Sequence, residues 1–561
     1  MQSFESDVRE LLEGLIPGQT IALAQPPDQS MGDLAFACFE LAKSQHKNPA
    51  DIAGELATAL KPEGLVKKIE AMGPYVNFFV DKQALFALLS KQIERKKDRF
   101  GAGKRQRERI MVEFFHANTH KAVHIGHVRT MCLGIALSNI LEFYGHKVFR
   151  ANYQGDIGPH VVKCIWGLMR FKEEPSNESK LKWLGEIYTR AHHLIDGNEE
   201  LEQEIKSMTK KLYDGDPELV KIWKETRQWC LDDFNKMYEE FGVKFDRLFF
   251  ESEVEPRGKK IVKDLLKKGI AKESEGAIIM DLEQHGLGIF LLLRNDGVAL
   301  YSTKDLALAQ LKFKEFKVER NIHVVGAEQE LYFRQLKKTL ELIGSPNANK
   351  LYHLSYGLVM LPEGKMSSRV GTVVLYEDLK QRLYDAAEKS TRERHDDWDA
   401  SKIDQTKRLL AFSALKFGMV SRETNKSLLF DWDKALDFEG ETGPYVQYAF
   451  ARICSILRKH DKPLAKRIDY NLLSAPHEER IISLLSGFES RVSEAATHYR
   501  PYVLAKFLVE LAQAFNEFYH ACPILQEKEG LMHARLALIT SVRQVLANGL
   551  MLLGIQAPEM M

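Results

Sequence analysis

The sequence predicts a multidomain α/β protein. A Rossmann-like parallel-sheet domain carrying a helical insertion is expected between an α+β leading domain and an all-helical terminal bundle. Three observations predict it. A strand–helix–strand unit spans Arg109 to Tyr153, the βαβ arrangement that opens a parallel sheet. Strand and helix alternate again from His323 through Val374. From about Lys407 onward, apolar residues recur at helical spacing, as in VLAKFLVELAQAFNEFY, which reads as a bundle.

The elements follow in order. PYVNFFV (Pro74 to Val80) reads as a strand flanked by helical periodicity. The charged stretch KQIERKKDRFGAGKRQRER, from Lys91 to Arg109, reads as a helix end and connector, which places a domain boundary near residue 105. RIMVEFFHAN (Arg109 to Asn118) is rich in branched and aromatic residues and is expected to be a strand. Val128, Leu133, Leu137, Ile140 and Leu141 then share a helical face that Gly145 closes, and KVFRANY returns to strand. Lys163 to Phe249 is charge-laced helix, with Trp183, Leu184, Ile187, Leu194 and Ile195 on one stripe. Short strands are expected from Ala277 to Tyr301, with Thr303 as N-cap of the next helix. The expected division is 1–105, 106–435 with an insertion at about 163–300, and 436–561.

With 561 residues the chain has room for about three to five domains. At 45% hydrophobic and 28% charged residues it is neither disordered nor fibrous. No apolar run approaches the roughly 18 residues of a membrane span, and MQSFESDVRELLEGL is acidic, unlike a signal sequence. Cys38, Cys132, Cys164, Cys230, Cys454 and Cys522 are scattered, with no CxxC, as expected of reduced thiols in the cytoplasm. The 79 basic and 78 acidic residues sum to +1, which at first argues against a nucleic-acid partner. A whole-chain sum, however, hides any patchwork of basic and acidic surfaces.

The strongest motif lies at the first strand-to-helix turn, FFHANTHKAVHIGHVRT, where His124, Ile125, Gly126 and His127 spell HIGH. A helix N-terminus offers free N–H groups and partial positive charge, and Gly126 permits close approach of a ligand. Two imidazoles there can donate to phosphate oxygens as charge develops. The recurrence of His116, His120 and His124 suggests a metal as the alternative. It is the weaker one: His116 falls in a strand-like run, and HExxH and cysteine pairs are missing; no metal ligand is assigned. The second motif is LPEGKMSSRVG, with Lys365, Met366, Ser367, Ser368 and Arg369. It is not a Walker loop, because Met366 follows the lysine. A glycine-flanked basic loop can still close over a polyphosphate, whereas taken alone it reads as an exposed charged loop.

HIGH followed far downstream by a KMSKS-like loop resembles the class I aminoacyl-tRNA synthetases. EFFHANTHKAVHIGHVRT, ANYQGDIGPHV, GVALYSTKDLALA, VVGAEQELYFRQL and GPYVQYAFARICSIL narrow the resemblance to the arginyl-tRNA synthetase family. MGDLAFACFELAK resembles that family's N-terminal addition, and LMLLGIQAPEMM its C-terminus. The resemblance implies a ligase that activates L-arginine with ATP and transfers it to its tRNA, releasing pyrophosphate and AMP, with Mg2+ accompanying ATP. It implies that His124, Gly126, His127, Gly326, Lys365, Met366 and Ser367 serve ATP. The second lysine of the loop signature is replaced by Ser368, and Lys121, just before HIGH, is placed to compensate.

A guanidinium is a planar fork of donors best met by carboxylates. The resemblance assigns that task to Asp305, with Tyr301 beside it and Glu113 and Glu251 as further acidic candidates. Asn118 and Gln329 would hold the amino-acid end. Arg452, Arg458 and Lys459, in a cluster continued by Lys462, Lys466 and Arg467, are the phosphate-facing candidates for tRNA. Tyr445, Tyr448 and Tyr519 could stack on bases, although tyrosines at helical spacing more often belong to a core. A cytoplasmic monomer is expected. Two rivals remain: an RNA-binding relative without catalysis, and a small-molecule adenylate-forming ligase sharing the HIGH domain. Intact HIGH, Lys121, Lys365, Tyr301 and Asp305 disfavour the first; the flanking domains disfavour the second.

Overall fold

The structure is a computed structural model that describes residues 4–175, 179–360, 374–429, 431, 434, 437 and 440–561. Lys365, Met366, Ser367 and Ser368 therefore lie outside the described residues. The chain forms two compact units.

One unit contains the residues through Phe100, together with Arg452–Phe488 and Glu510–Leu546. Its N-terminal part runs α1 (Phe4–Leu15), β1 (Leu23–Ala24), β2 (Leu34–Ala37), α2 (Phe39–Gln45), α3 (Pro49–Ala59), β3 (Val66–Met72), β4 (Tyr75–Val80) and α4 (Lys82–Lys96). The strands pair antiparallel in the order β1-β2-β4-β3. Period-two alternation sends Val76 and Phe78 inward against Val8, Leu12, Phe36 and Leu56. Asn48 caps α3 by accepting from the Ala50 N–H, with Pro49 at the first helical position, where its missing N–H costs nothing.

The other unit contains Gly101–Ala451, Glu489–Val509 and Ala547–Met561. β5 (Arg109–Glu113), α5 (Ile125–Phe143) and β6 (Lys147–Gln154) form the expected βαβ start. Four helices follow, α6 (Pro159–Phe171), α7 (Lys180–Ile195), α8 (Glu199–Tyr213) and α9 (Pro217–Phe241), then β7 (Arg247–Phe250) and α10 (Glu251–Lys267). A small antiparallel sheet, β8 (Lys272–Ser274), β9 (Ala277–Asp281) and β10 (Ile289–Leu293), leads into α11 (Tyr301–Phe316). β11 (Arg320–Gly326), α12 (Glu330–Leu342), β12 (Leu351–Tyr356), β13 (Val359–Met360), α13 (Tyr376–Arg394), α14 (Ala400–Val420) and β14 (Leu428–Leu429) complete it. The large sheet is parallel throughout, in the order β12-β11-β5-β6-β7.

The last helices are α15 (Gly443–His460), α16 (Pro476–His498), α17 (Pro501–Ala521) and α18 (Glu529–Leu552). The residues after α18 that belong to the sheet unit lie along α5. A Cβ on Gly554 would come within 2.7 Å of Ile135. The Gly554 carbonyl accepts from the buried Lys416 ammonium at 2.6 Å, and Gln447 donates to the Gln556 carbonyl at 2.7 Å.

Two local expectations are corrected. β5 stops at Glu113 rather than continuing to Asn118. Beyond it Phe115 and His116 have φ of 81° and 54°, and their N–H groups turn to the Thr130 hydroxyl and the Asn152 side chain instead of a neighbouring strand. Thr303 is not an N-cap: Leu300 occupies that position, without a side-chain cap. The Thr303 hydroxyl, like that of Ser302, is spent on a carbonyl of β10.

Candidate active site

The sheet order dictates where a ligand enters. From β5 the chain proceeds to β6 and β7 on one side, then returns to β11 and β12 on the other. Such a reversal opens a crevice at the carboxyl ends of the two adjoining strands. A cavity of about 600 Å³ lies there, lined among others by Glu113, Asn118, His124, Gly126 and His127 from the β5–α5 side. Glu251, Tyr301 and Asp305 line it from α10 and α11, and Gly326 and Gln329 from the end of β11. These are residues the sequence singled out. Lys121 is half-buried and does not line the cavity; its ammonium lies 5.0 Å from the centre of the Tyr188 ring.

HIGH forms the first turn of α5. His124 is the N-cap, and its Nδ1 accepts from the Gly126 N–H at 3.1 Å, while Nδ1 of His127 accepts from the His124 N–H at 3.2 Å. The two rings sit 3.8 Å apart, centre to centre. Burial, reinforced by Lys121, pushes His124 down to about 4, and burial with the neighbouring imidazoles holds His127 well below its ordinary value. Both rings are therefore neutral near pH 7. With Nδ1 accepting, each carries its proton on Nε2 as a hydrogen-bond donor. The turn is fastened from outside: Ile125 N–H donates to the Val374 carbonyl at 3.0 Å, and Tyr376 N–H to that of Val123 at 2.9 Å. Of the other histidines in the run, His120 is fully buried between the hydroxyls of Thr119 and Thr226.

The acidic side chains have distinct surroundings. Glu113 is 2% exposed, ion-paired to Lys312 and hydrogen-bonded to His323 Nδ1 at 3.0 Å. Burial alone would raise its pKa, but Lys312 and His323 hold it well below the usual carboxylate range. Glu251 opens α10 with Lys304 at 2.5 Å; burial still pushes it up to about 7. Asp305 accepts from the Tyr332 hydroxyl on Oδ2, while its buried Oδ1 has no hydrogen-bond partner among the described residues. Burial pushes Asp305 up to about 6.

Tyr301, 56% exposed, stands one helical turn before Asp305 on α11. Asn118 Oδ1 accepts from the Gly155 N–H at 3.2 Å, and a Cβ on Gly155 would meet that oxygen at 2.4 Å. Gly126 is similarly close to its neighbours: an added Cβ would lie 2.9 Å from the His124 ring. A Cβ on Gly326 would come within 2.3 Å of the Glu328 carboxylate. Gln329 is exposed and caps nothing.

Sequence reasoning missed His116, Tyr153, Lys312, His323 and Tyr332 as lining residues. His116 Nε2 and Tyr153 Oη are buried without hydrogen-bond partners among the described residues. A signal existed for Lys312, which lies two helical turns beyond Asp305 and so shares its face.

The candidates for tRNA belong to the unit that contains the N-terminal residues. Arg458 and Lys459 are exposed near the end of α15. Arg452 donates to Asn516 at 3.2 Å, with its guanidinium 5.1 Å from the centre of the Tyr519 ring.

Comparison with known proteins agrees with this architecture along the whole chain. Residues 89–432 match the family described as tRNA synthetases class I (R), catalytic domain. Residues 446–561 match the DALR anticodon binding domain, and residues 2–80 the arginyl tRNA synthetase N terminal domain. An arginine–tRNA ligase of Clostridioides difficile is 36% identical over the full length of both chains. One of Bdellovibrio bacteriovorus is 36% identical, covering 96% of this chain and 94% of its own. Among solved structures, the Thermus thermophilus arginyl-tRNA synthetase superposes with a TM-score of 0.83 at 29% identity, covering 99% of each chain. A sheet that reverses beside HIGH, a leading α+β segment and a helical anticodon-binding region thus have one explanation: the chain belongs to the arginyl-tRNA synthetase family of class I.

Proposed function

We propose that the cavity binds L-arginine and ATP side by side and joins them as arginyl-adenylate, which the protein then transfers to its tRNA. The carrying observation is Asp305 Oδ1, a buried carboxylate oxygen without a hydrogen-bond partner among the described residues, in a cavity where Glu113 and Glu251 already have lysines. That leaves Asp305 as the buried acid for one guanidinium, the other acid of the lining, Glu328, being exposed, with Tyr301 at the mouth and Asn118 and Gln329 at the amino-acid end.

In the first step a carboxylate oxygen of arginine attacks the α-phosphorus of ATP, and pyrophosphate leaves. In the second a terminal ribose hydroxyl of the tRNA attacks the carbonyl carbon, and AMP leaves. The protein's contribution is alignment and electrostatic stabilisation. His124 and His127 donate Nε2–H to phosphate oxygens, Gly126 and Gly326 admit the nucleotide close to the backbone, and Lys121 adds positive charge. Lys365, Met366 and Ser367 belong to the same ATP assignment on sequence grounds. Mg2+ neutralises phosphate charge when it accompanies ATP.

Arg452, Arg458 and Lys459 contact tRNA phosphates; the chain divides into an added N-terminal segment (1–105), a catalytic segment (106–435) and an anticodon-reading segment (436–561), a division supported by the family matches to residues 2–80, 89–432 and 446–561. The protein acts as a monomer and in the cytoplasm, the location being supported by six buried free thiols. ATP–pyrophosphate exchange in the presence of tRNA tests the proposal. Exchange that depends on arginine is expected; exchange with no amino-acid dependence, or none at all, overturns it.

A further inference from the structure

The turn after β6, Gly155-Asp156, is not used by the chemistry above, yet it carries a buried carboxylate. Asp156 is fully buried and receives three side-chain-directed donors: Ser252 N–H at 2.9 Å on Oδ1, and the Ser252 hydroxyl at 2.6 Å and Arg227 Nε at 2.8 Å on Oδ2. Its backbone carbonyl accepts from Trp223 Nε1 at 2.6 Å.

The location of these bonds gives them meaning. α10 begins at Glu251, and its N-cap, Phe250, has no side chain able to cap. The early N–H groups of a helix need acceptors from elsewhere, and an anion there is favoured by the helix dipole. Asp156 supplies both from the turn after the neighbouring strand β6, in effect capping α10 from outside the helix. Arg227 then neutralises Asp156 and lays its guanidinium 4.1 Å from the centre of the Phe250 ring. On the other side Gly155 holds Asn118, and its carbonyl receives the Thr119 N–H at 3.0 Å. The turn thus joins Asn118 and Glu251, two cavity residues, to Arg227 and Trp223 of insertion helix α9.

We infer that Asp156 and Arg227 are positioning residues for amino-acid binding, through which the helical insertion sets the placement of Glu251 and Asn118. They touch neither substrate. The inference rests on the reading of the cavity as the arginine site. Because the pair braces the α10 and Asn118 side and leaves the HIGH turn alone, its loss acts on arginine and spares ATP.

The test is ATP–pyrophosphate exchange with tRNA on the full chain, measuring KM for arginine and for ATP separately. Arg227→Met is expected to raise the arginine KM about tenfold or more while the ATP KM stays within about twofold. Arg227→Lys, which keeps a charge for Asp156, is expected to recover most of the loss. Asp156→Asn is expected to resemble Arg227→Met. An unchanged arginine KM in Arg227→Met, equal rises in both KM values, or no rescue by lysine overturns the inference. Should Arg227→Met not fold, as judged by thermal melting, the arginine-to-ATP comparison in Asp156→Asn decides by the same criteria. Wild-type exchange that ignores arginine sinks the cavity reading itself. Wild-type exchange that needs arginine, with unmoved variants, sinks only the positioning role.

Discussion

The Tyr332 hydroxyl donates to Oδ2 of Asp305 and so holds the carboxylate with its other oxygen buried and, among the described residues, without a hydrogen-bond partner. A fixed acceptor of this kind suits a planar fork of N–H donors better than a compact ammonium. Asp305→Ala should therefore cost arginine about 2–5 kcal/mol in kcat/KM, the usual loss when one partner of a buried charge pair is removed. Discrimination against lysine should shrink with it. Unchanged arginine affinity in the variant would falsify the assignment, and competition by lysine in the exchange assay reads the second effect.

Acid should act on the same carboxylates. Burial pushes Asp305 up to about 6 and Glu251 up to about 7. A raised pKa means that the neutral form takes over at unusually high pH, so the anionic pocket is complete above these values and is lost as pH falls through them. Between about pH 8 and pH 5.5, kcat/KM for arginine should fall steeply and KM for ATP much less. A flat arginine profile over that range would contradict the pocket.

His124 has two separable tasks, capping α5 and presenting Nε2–H. Asparagine is also a good N-cap, so His124→Asn should keep the melting temperature close to wild type. Loss of the imidazole donor should lower exchange by about 10²–10³-fold, as for other donors aimed at developing charge. Lys121→Ala should likewise depress exchange without unfolding the protein. Near wild-type exchange in either variant would remove that residue from the phosphate-binding group.

Glu113 and Lys312 make a different prediction, about stability. The depressed pKa of Glu113 means that its contribution is present above the unfolded carboxylate value, about 4.3, and fades as pH falls through the folded value. Glu113→Gln strands a buried lysine and should cost about 3–5 kcal/mol near neutral pH. Glu113→Gln combined with Lys312→Met should recover much of that cost. Urea titrations of the two variants decide it: equal stability of single and double variants would rule out the pair as the cause.

Binding to tRNA should weaken with salt despite the net charge of +1. Replacing both Arg458 and Lys459 with alanine should lower the slope of log affinity against log salt by roughly 1–2. A salt-insensitive affinity would exclude phosphate contacts as its source.

Much of this was legible in the sequence, for identifiable reasons. The βαβ start and the helical terminal region rest on periodicity, a local property, and HIGH occupies consecutive positions. The overrun of β5 came from FFHAN, whose residues favour strands but whose N–H groups are claimed by Thr130 and Asn152, partners supplied by other elements. The misplaced cap at Thr303 has the same origin, since its hydroxyl answers to β10. His323 was missed because it meets Glu113 only through parallel register, where the two are Cα partners. Tyr332 comes from α12, whose approach to α11 no local pattern announces. Chemistry carried by contiguous residues could be read; chemistry assembled by register could not.

The sheet unit draws on three separate stretches, and its α5 is packed by Gly554 and donates from Asn139 to the Met551 carbonyl. During synthesis, the β5–α5–β6 segment emerges hundreds of residues before this covering exists. The usual order, in which an N-terminal domain finishes folding while the ribosome is still at work, is closed to this one. A nascent chain that has not yet reached Ile555 displays HIGH on a helix whose packing is incomplete. Maturation of the catalytic centre is thereby deferred until the stretch around Gly554 has been made.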